Sequence, residues 1–428
     1  MNKYNFLKNF EMDRIIYLLI VLLPISLVSG PFLSDLSITI IASCFIYISF
    51  KKKIFFYYNN IYSKIFICFY ALIIILSFFS YDPLISLKKT IPFFRFWLFS
   101  LAVWYTFQNK KNIIKHLIFS FSFIFIILIF DGYVQFFFKE NIFGWSMETS
   151  RVSSLFKDEL ILGSYLSRML PIYFGLLIFS NFEKKFKYYF LFFLIFIGME
   201  TLIFLSGERV AFFYLNLSTL ILILTMKKFK LFRTLTLAVS IFLIFIISNL
   251  YPKSTDRILN KTIDQIGIFD NEKYIFSEEH QNHFISGIRM FKDNIIFGTG
   301  PRMFRELCGE KKYNLWEGCS THPHNTYVQL LAETGIFGFL FVATLFFLVI
   351  FYLIKHFILK YFFQKNYFTD FQLCLLSAML ISIWPFSPTG GVFNNWLNII
   401  YFFPLGFFMQ SLNLKISAIP HSNKGALN

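Results

Sequence analysis

Long apolar segments alternate with short polar ones along most of the chain. A helix that crosses a bilayer needs roughly 20 mostly apolar residues, and about twelve segments come close to that length. Because a spanning segment must satisfy its own backbone hydrogen bonds, such segments form helices. The pattern therefore predicts an all-α, polytopic integral membrane protein with transmembrane helices near 14–32, 34–50, 64–80, 91–107, 113–137, 160–180, 187–205, 209–226, 232–250, 325–354, 370–386 and 396–413.

One polar segment, 251–324, is much longer than the other connections. A loop of this length is uncommon without a function. Short helices of its own are predicted at 284–292 and at 301–307, the second with Pro301 in its first turn. The loop has as many acidic as basic residues, and it contains four of the seven histidines, namely His280, His283, His322 and His324.

The same pattern divides the chain into three regions. Residues 1–250 carry the first nine predicted helices, 251–324 form the large loop, and 325–428 carry the last three helices and a polar tail. Lys and Arg concentrate in alternate connections, as in the three lysines at 51–53, which is typical of cytoplasmic loops. Both termini are therefore predicted to be cytoplasmic, and the large loop to face the other side of the membrane.

Composition supports a lipid environment. The chain is 57% hydrophobic and 15% charged, whereas soluble domains carry about 25% charged residues. We interpret the 64 Phe as lipid-facing side chains and not as an aromatic binding platform. In a soluble protein the net charge of +16 would suggest nucleic-acid binding. Here the positive residues lie in short runs beside apolar segments, so we expect contacts with membrane lipids and not with nucleic acid.

Two of the five cysteines, Cys308 and Cys319, lie in the large loop. A loop facing an oxidising compartment favours a disulfide bond between them. The alternative is a metal site, because His322 and His324 follow closely. That spacing matches no standard zinc pattern, so the disulfide is the preferred interpretation.

Four charged or titratable side chains are predicted on the same side of the membrane: Arg151, Arg209, Arg289 and His324. Such residues at a membrane edge are costly and frequently functional. Together they could bind an anionic, lipid-linked substrate.

Each of the four also has a simpler interpretation. Arg209 could anchor a helix end by reaching the lipid headgroups. Arg289 could pair with Asp293 four residues along a helix. His324 could serve only the start of a helix, and Arg151 could be a solvated surface residue. The combination of residues, and no single one, favours the functional interpretation.

The segments around these residues form a recognisable set. HNTYVQLLAETG at 324–335 has the form H-[NSQ]-x-x-L-x6-G, with Val328 where Leu is usual. SGIRMFKDNIIFGTGP carries an Arg helix and then a Gly-rich turn. LSGERVAFF contains Glu208 in place of a small polar residue, and RVSSLFKDELILGSYL has KDE at 157–159 in place of the usual Pro-Asn. In order and spacing over about 145–410, they resemble the O-antigen ligase and O-antigen polymerase superfamily.

This resemblance implies a glycosyltransferase of the bacterial inner membrane whose active site faces the periplasm. Its donor would be a glycan on undecaprenyl pyrophosphate. A ligase moves that glycan to lipid A–core in lipopolysaccharide biosynthesis, whereas a polymerase moves it to a second lipid-linked unit; we favour the ligase because of the single large late loop. The resemblance implies no nucleotide sugar, no metal and no cofactor.

The roles of the residues then follow from their chemistry. Arg209 and Arg289, assisted by Arg151, would bind the pyrophosphate, since the guanidinium group matches phosphate oxygens. His324 would be the general base that accepts the proton of the acceptor hydroxyl. The helix that begins near His324 would offer free N–H groups to an anion. His322 would orient this loop or, as we favour, take no part.

A rival function from another class is transport of lipid-linked sugars. Transporters place charged residues near the bilayer midplane, frequently between paired halves of the fold. Asp131 is one of few acidic residues within an apolar segment, and the sequence shows no paired halves. Transport is therefore the less favoured alternative.

Overall fold

The computed structural model describes residues 3–147, 151–181, 186–252, 256, 258, 260, 277–316 and 318–417. Within these residues the chain is helical, with one isolated β-bridge between Glu140 and Ser146. The predicted all-α class is confirmed. The helices are α1 Lys3–Ser26, α2 Pro31–Lys52, α3 Ile61–Phe78, α4 Pro83–Thr90, α5 Phe94–Asn109, α6 Ile113–Phe138, α7 Leu162–Phe179, α8 Phe186–Leu205, α9 Arg209–Thr225, α10 Lys230–Leu250, α11 Glu278–Asp293, α12 Phe304–Leu307, α13 Thr326–Phe363, α14 Asp370–Ser382 and α15 Asn395–Ser417.

Each predicted apolar segment corresponds to one helix. Seven helices of the described residues are long and apolar enough to cross a membrane, namely α2, α3, α6, α7, α8, α10 and α13. The shorter helices α9 and α14 are apolar but have 17 and 13 residues. A multi-pass membrane protein is therefore supported, while the count of about twelve spans stays a prediction.

The helices differ in what surrounds them. α5 packs along α15 and α7 along α14, and nearly every side chain of α5 and α7 is buried. The outer helices α10 and α13 instead expose apolar rings, including Phe242 and Phe347, as expected where lipid is the solvent. Other Phe rings stack inside the bundle, such as Phe174 on Phe232 at 5.8 Å. The lipid-facing interpretation of Phe therefore holds for only part of the set.

The described part of the large loop has a small core of its own. Cys308 and Cys319 form a disulfide bond. The predicted helix at 284–292 lies within α11. The predicted helix at 301–307 is shorter than expected, because Arg302 has a left-handed φ of 68°, which a right-handed helix does not accommodate. The buried side chains of this core are Met290, Met303, Phe304, Leu307, Cys308, Tyr313 and Ala332.

The loop is joined to α13 at a break in that helix. Gly335 has a φ of 63° and interrupts the helical geometry. The backbone of Ile296 lies so close that a Cβ at Gly335 would collide with it. The N–H of Thr299 donates to the carbonyl of Ala332 at 2.9 Å, and that of Ile336 to Ile295 at 2.9 Å. These bonds fasten the Gly-rich turn to the helix that begins beside His324.

Candidate active site

A cavity of about 1400 Å³ opens where distant segments of the chain meet. It contains three of the four predicted site residues, Arg151, Arg209 and His324, together with Arg168. Its mouth also carries the exposed residues 157–159. Further parts of the wall come from the end of α1 and the start of α2, the start of α7, the turn before α9, the residues at 386–397, and the histidines His280 and His322.

One wall of the cavity is held by Arg151 and Glu208. The Nε of Arg151 donates to the carbonyl of Ser206 at 3.0 Å, and its Nη2 to the carbonyl of Leu160 at 3.2 Å. Arg151 therefore joins its own segment to the turn that leads into α9. These contacts argue against the simpler interpretation of Arg151 as a solvated surface residue.

Glu208 connects the same turn to α7. Its carboxylate accepts the N–H groups of Gly163 at 2.7 Å and Ser164 at 3.0 Å. These are two of the donors that a helix start leaves without a partner in its own helix. A Cβ on Gly163 would collide with Ser206, so glycine permits the close approach. Glu208, which departs from the small polar residue of the motif that this segment resembles, thus caps a neighbouring helix.

Four histidine rings from two parts of the loop meet beside the cavity. The ring of His324 lies 5.0 Å from those of His280 and His283 and 4.2 Å from that of His322, centroid to centroid. The Nε2 of His322 donates to the carbonyl of Thr389 at 3.3 Å, which favours an orienting role over none. No group of three or more His, Cys, Asp or Glu within the described ranges is arranged to hold a metal ion.

The helix start at His324 differs from the expectation in one respect. Asn325, and not His324, caps α13: its Oδ1 accepts the N–H groups of Tyr327 and Val328. The N–H of Thr326 donates to the Oγ1 of Thr389 at 3.0 Å. The expectation of free N–H groups for an anion is therefore wrong. His324 itself has a left-handed φ of 51°, which directs it out of the helix and into the histidine group.

Arg289 does not line the cavity. It lies on α11, the helix that also carries His280 and His283. Its Nη1 donates to the carbonyl of Asn314 at 3.4 Å, within the segment that the disulfide closes. Arg289 thus does not share the cavity with Arg151 and Arg209, and its role in binding pyrophosphate stays a prediction.

Part of the chain is similar to a known protein family. The family model described as O-antigen ligase matches residues 190–343. These residues therefore resemble the O-antigen ligase superfamily, as the sequence motifs also do. Comparison with curated proteins gives no match.

The O-antigen ligase match includes some of the cavity and leaves out other parts. Arg209, Arg289 and His324 lie within the matched residues, as does the break at Gly335. Arg151 lies before them, so its place in the site depends on its contacts with the turn before α9. Members of this family are glycosyltransferase-like enzymes of polysaccharide synthesis.

The electrostatics of the cavity are set chiefly by burial. Burial and, less strongly, the neighbouring histidines together lower the pKa of His324 to about 3. Burial also lowers the pKa of His322 to about 4 and lowers that of His280, which Arg209 also lowers. His324 is therefore neutral at pH 7 and has a free lone pair to accept a proton.

Burial acts in the opposite direction on Glu208, because its charged form is an anion. It raises the pKa of Glu208 to about 7, while Arg151 and, less strongly, Arg168 lower it. Near neutral pH this carboxyl is therefore partly protonated. The charge that it places beside the arginines changes with pH in the physiological range.

Arg168 is the cavity residue that sequence reasoning missed. It lies in the second turn of α7 and is 3% exposed. Its signal was present, since a charged residue within an apolar segment is rare and frequently functional. Because the residues that flank Arg168 are apolar, the sequence pattern predicts only a transmembrane helix at 160–180.

Proposed function

We propose that this protein is an O-antigen ligase, a metal-independent glycosyltransferase that moves a glycan from undecaprenyl pyrophosphate to a sugar hydroxyl of lipid A–core. The observation that carries the proposal is the cavity that brings Arg151, Arg209 and His324 together from three separate segments. Arginines suited to phosphate and a neutral histidine are the two groups that this transfer requires.

The proposed reaction is a single displacement at the anomeric carbon. The acceptor oxygen forms a bond to that carbon, and the bond from the carbon to the pyrophosphate oxygen breaks. The pyrophosphate leaves with the electron pair, and its developing charge is stabilised by Arg209 and Arg151. The hydroxyl proton passes to a ring nitrogen of His324. A dianionic donor beside the ring raises the pKa of His324, which strengthens the base once the substrate is bound.

Orientation in the membrane belongs to the same proposal. We place the protein in the bacterial inner membrane with about twelve spans, cytoplasmic termini and a periplasmic loop and cavity. The distribution of Lys and Arg supports this orientation. The disulfide between Cys308 and Cys319 agrees with it, because such bonds persist in oxidising compartments.

The transport alternative loses support at Asp131. This residue is fully buried, and its carboxylate accepts hydrogen bonds from the Ser154 hydroxyl at 2.6 Å and the Ile142 N–H at 3.0 Å. These bonds hold the segment after α6 against the bundle. An acid that is used in this way does not require a transport function.

An in vitro transfer assay tests the proposal and separates it from the polymerase alternative. Purified protein would receive an undecaprenyl-pyrophosphate glycan with either lipid A–core or a second lipid-linked glycan, with and without a chelator. A ligase transfers glycan to lipid A–core at a rate that the chelator does not change. Elongation of the lipid-linked glycan alone would identify a polymerase, and no transfer to either acceptor would reject the proposal.

A further inference from the structure

Arg168 is a buried guanidinium group without a carboxylate partner among the described residues. Its Nη1 donates to the carbonyl of Ser164 at 3.2 Å and also contacts the Ser164 hydroxyl. Its Nε is buried and has no hydrogen-bond partner in the described structure. The side chain lines the cavity. Arg168 is therefore a fixed, largely buried cation at the wall of the cavity.

The neighbouring helix holds this guanidinium in place. Its central carbon lies 4.9 Å from the centroid of the Tyr214 ring, a stacked contact that Arg makes better than Lys. The Tyr214 hydroxyl is within 2.6 Å of the Ser387 hydroxyl, which fixes the ring in turn. Because Ser164 and Tyr214 position the charge before any ligand arrives, binding costs little ordering of the side chain.

The position of Arg168 along α7 indicates which part of a ligand it meets. It follows the first residue of α7, Leu162, by six positions, which is about 9 Å along the helix axis. Arg151 and Glu208 contact the segment and turn at the start of that helix. Arg168 thus lies deeper along α7 than the groups that line the mouth.

We propose that Arg168 binds the lipid-proximal phosphate of the donor, while Arg151 and Arg209 bind the phosphate next to the sugar. The inference rests on the proposed function and assigns a new binding residue within the same cavity. In a lipid-linked pyrophosphate, the phosphate attached to the lipid lies nearer the bilayer, and Arg168 lies six residues into a helix that is long and apolar enough to cross a membrane. A phosphate oxygen would accept a hydrogen bond from the Arg168 guanidinium group and form the close ion pair that Glu208, which only lies near enough to interact electrostatically, does not form with it.

Undecaprenyl monophosphate is the appropriate probe, because it keeps only the lipid-proximal phosphate. Equilibrium binding of radiolabelled monophosphate and pyrophosphate lipids would be measured on the full chain in detergent. Arg168→Gln is expected to weaken monophosphate binding about tenfold or more, as loss of a charge-assisted hydrogen bond implies. Arg168→Lys keeps the charge but not the stacking and is expected to bind with intermediate affinity. Arg209→Gln should weaken pyrophosphate binding more than monophosphate binding.

The matched control is Arg95→Gln. Arg95 is an ion-paired, half-buried arginine at the start of α5 that does not line the cavity, and its loss should leave both affinities unchanged. Excess phosphatidylglycerol distinguishes a specific site from a general lipid-headgroup site, since it should not displace the labelled lipid. Arg168→Lys also serves if the Gln variant does not fold.

The possible results separate the inference from the function on which it rests. Wild-type affinity for the monophosphate in both Arg168 variants would overturn the inference and leave the proposed function intact. Loss of pyrophosphate binding alone would overturn the assignment to the lipid-proximal phosphate. Displacement by phosphatidylglycerol at equal concentration would reassign Arg168 to membrane lipid. If the wild-type chain bound neither undecaprenyl lipid, both proposals would fail.

Discussion

Two buried arginines, Arg168 and Arg233, show how the same side chain serves two different purposes within one helical bundle. Arg233 in α10 forms an ion pair with Glu200 of α8 and hydrogen bonds with the hydroxyls of Thr219 and Thr236, and both charged side chains are fully enclosed. Arg168 has a serine and a tyrosine ring as its neighbours and faces the cavity. The charge of Arg233 is neutralised by an ion pair, whereas Arg168 forms no salt bridge within the part of the chain that the structure describes.

The difference indicates where function lies. A neutralised pair such as Arg233 and Glu200 fixes how helices pack and has no need of a ligand. A charge left beside a cavity is costly in the empty protein, and a bound anion recovers that cost. Changes at the cavity should therefore reduce transfer while the protein remains folded, and changes at the pair should do the reverse.

The largest expected effect lies on the cavity side, at His324. We expect His324→Ala to lower the transfer rate by about 10²–10⁴-fold, which is the usual contribution of a general base. Membrane insertion and the thermal unfolding midpoint should stay close to those of the wild type. Transfer would be measured with the lipid-linked donor and unfolding by a thermal scan in detergent. Full activity in this variant would exclude the general-base role.

The ion pair between Arg233 and Glu200 provides the opposite test, in which stability and not transfer should change. Arg233→Met leaves Glu200 buried without its partner, and we expect a loss of about 3–5 kcal/mol in the free energy of unfolding. Replacing both residues, as in R233M/E200L, removes both charges and should restore most of that loss. Transfer per folded molecule should remain near the wild-type value. A double variant with normal stability but no transfer would show that the pair belongs to the catalytic site after all.

Arg289 tests whether the cavity extends beyond its present lining. If Arg289 binds pyrophosphate, Arg289→Lys should weaken donor affinity about tenfold, since Lys cannot make the forked contact. If Arg289 only braces the disulfide-closed segment through Asn314, the variant should instead unfold at a lower temperature with unchanged affinity. Donor binding and thermal scans on the same preparation separate these outcomes.

The smallest effect concerns pH and Glu208. Because the pKa of Glu208 is raised to about 7, the carboxyl becomes an anion as pH rises through that value. The added negative charge beside Arg151 and Arg168 opposes the anionic donor, so we expect the donor KM to rise a few-fold between about pH 6 and 8. Glu208→Gln keeps an acceptor for only one of the two N–H groups of the α7 cap, and it should flatten this dependence. An unchanged pH profile in that variant would assign the effect to another group.

Much of the fold could be predicted from the sequence because hydropathy reports directly on bilayer spans. The positions of the long helices agree with the structure to within a few residues at most ends, apart from the first start and the extended end of α13. The start of α12 could not be predicted, because the left-handed conformation of Arg302 depends on how the Gly-rich turn is fastened to α13. Patterns of apolar residues carry no information on such a turn.

The candidate site could be predicted in part. Arg151, Arg209 and His324 share a cavity, as expected from topology and motif together. The approach of His280 and His283 to His324 depends on how α11 packs, which one sequence does not specify. The cap at Asn325 could have been predicted, because Asn before an apolar helix is a strong N-cap signal. Arg168 was overlooked because its neighbours in α7 are apolar.

The break at Gly335 shows that the two ends of the histidine motif specify different things. Gly335, the glycine that ends this motif, packs directly against the loop backbone because it has no side chain. It does not line the cavity. Its presence specifies a shape of the main chain, and the histidine at the other end specifies a chemical group. A related sequence with the histidine but without the glycine would keep the reactive ring. It would lose the main-chain shape against which the loop packs. For protein engineering, exchange of the loop between relatives should therefore use boundaries beyond Gly335. The loop and the start of α13 that holds it are then transferred together.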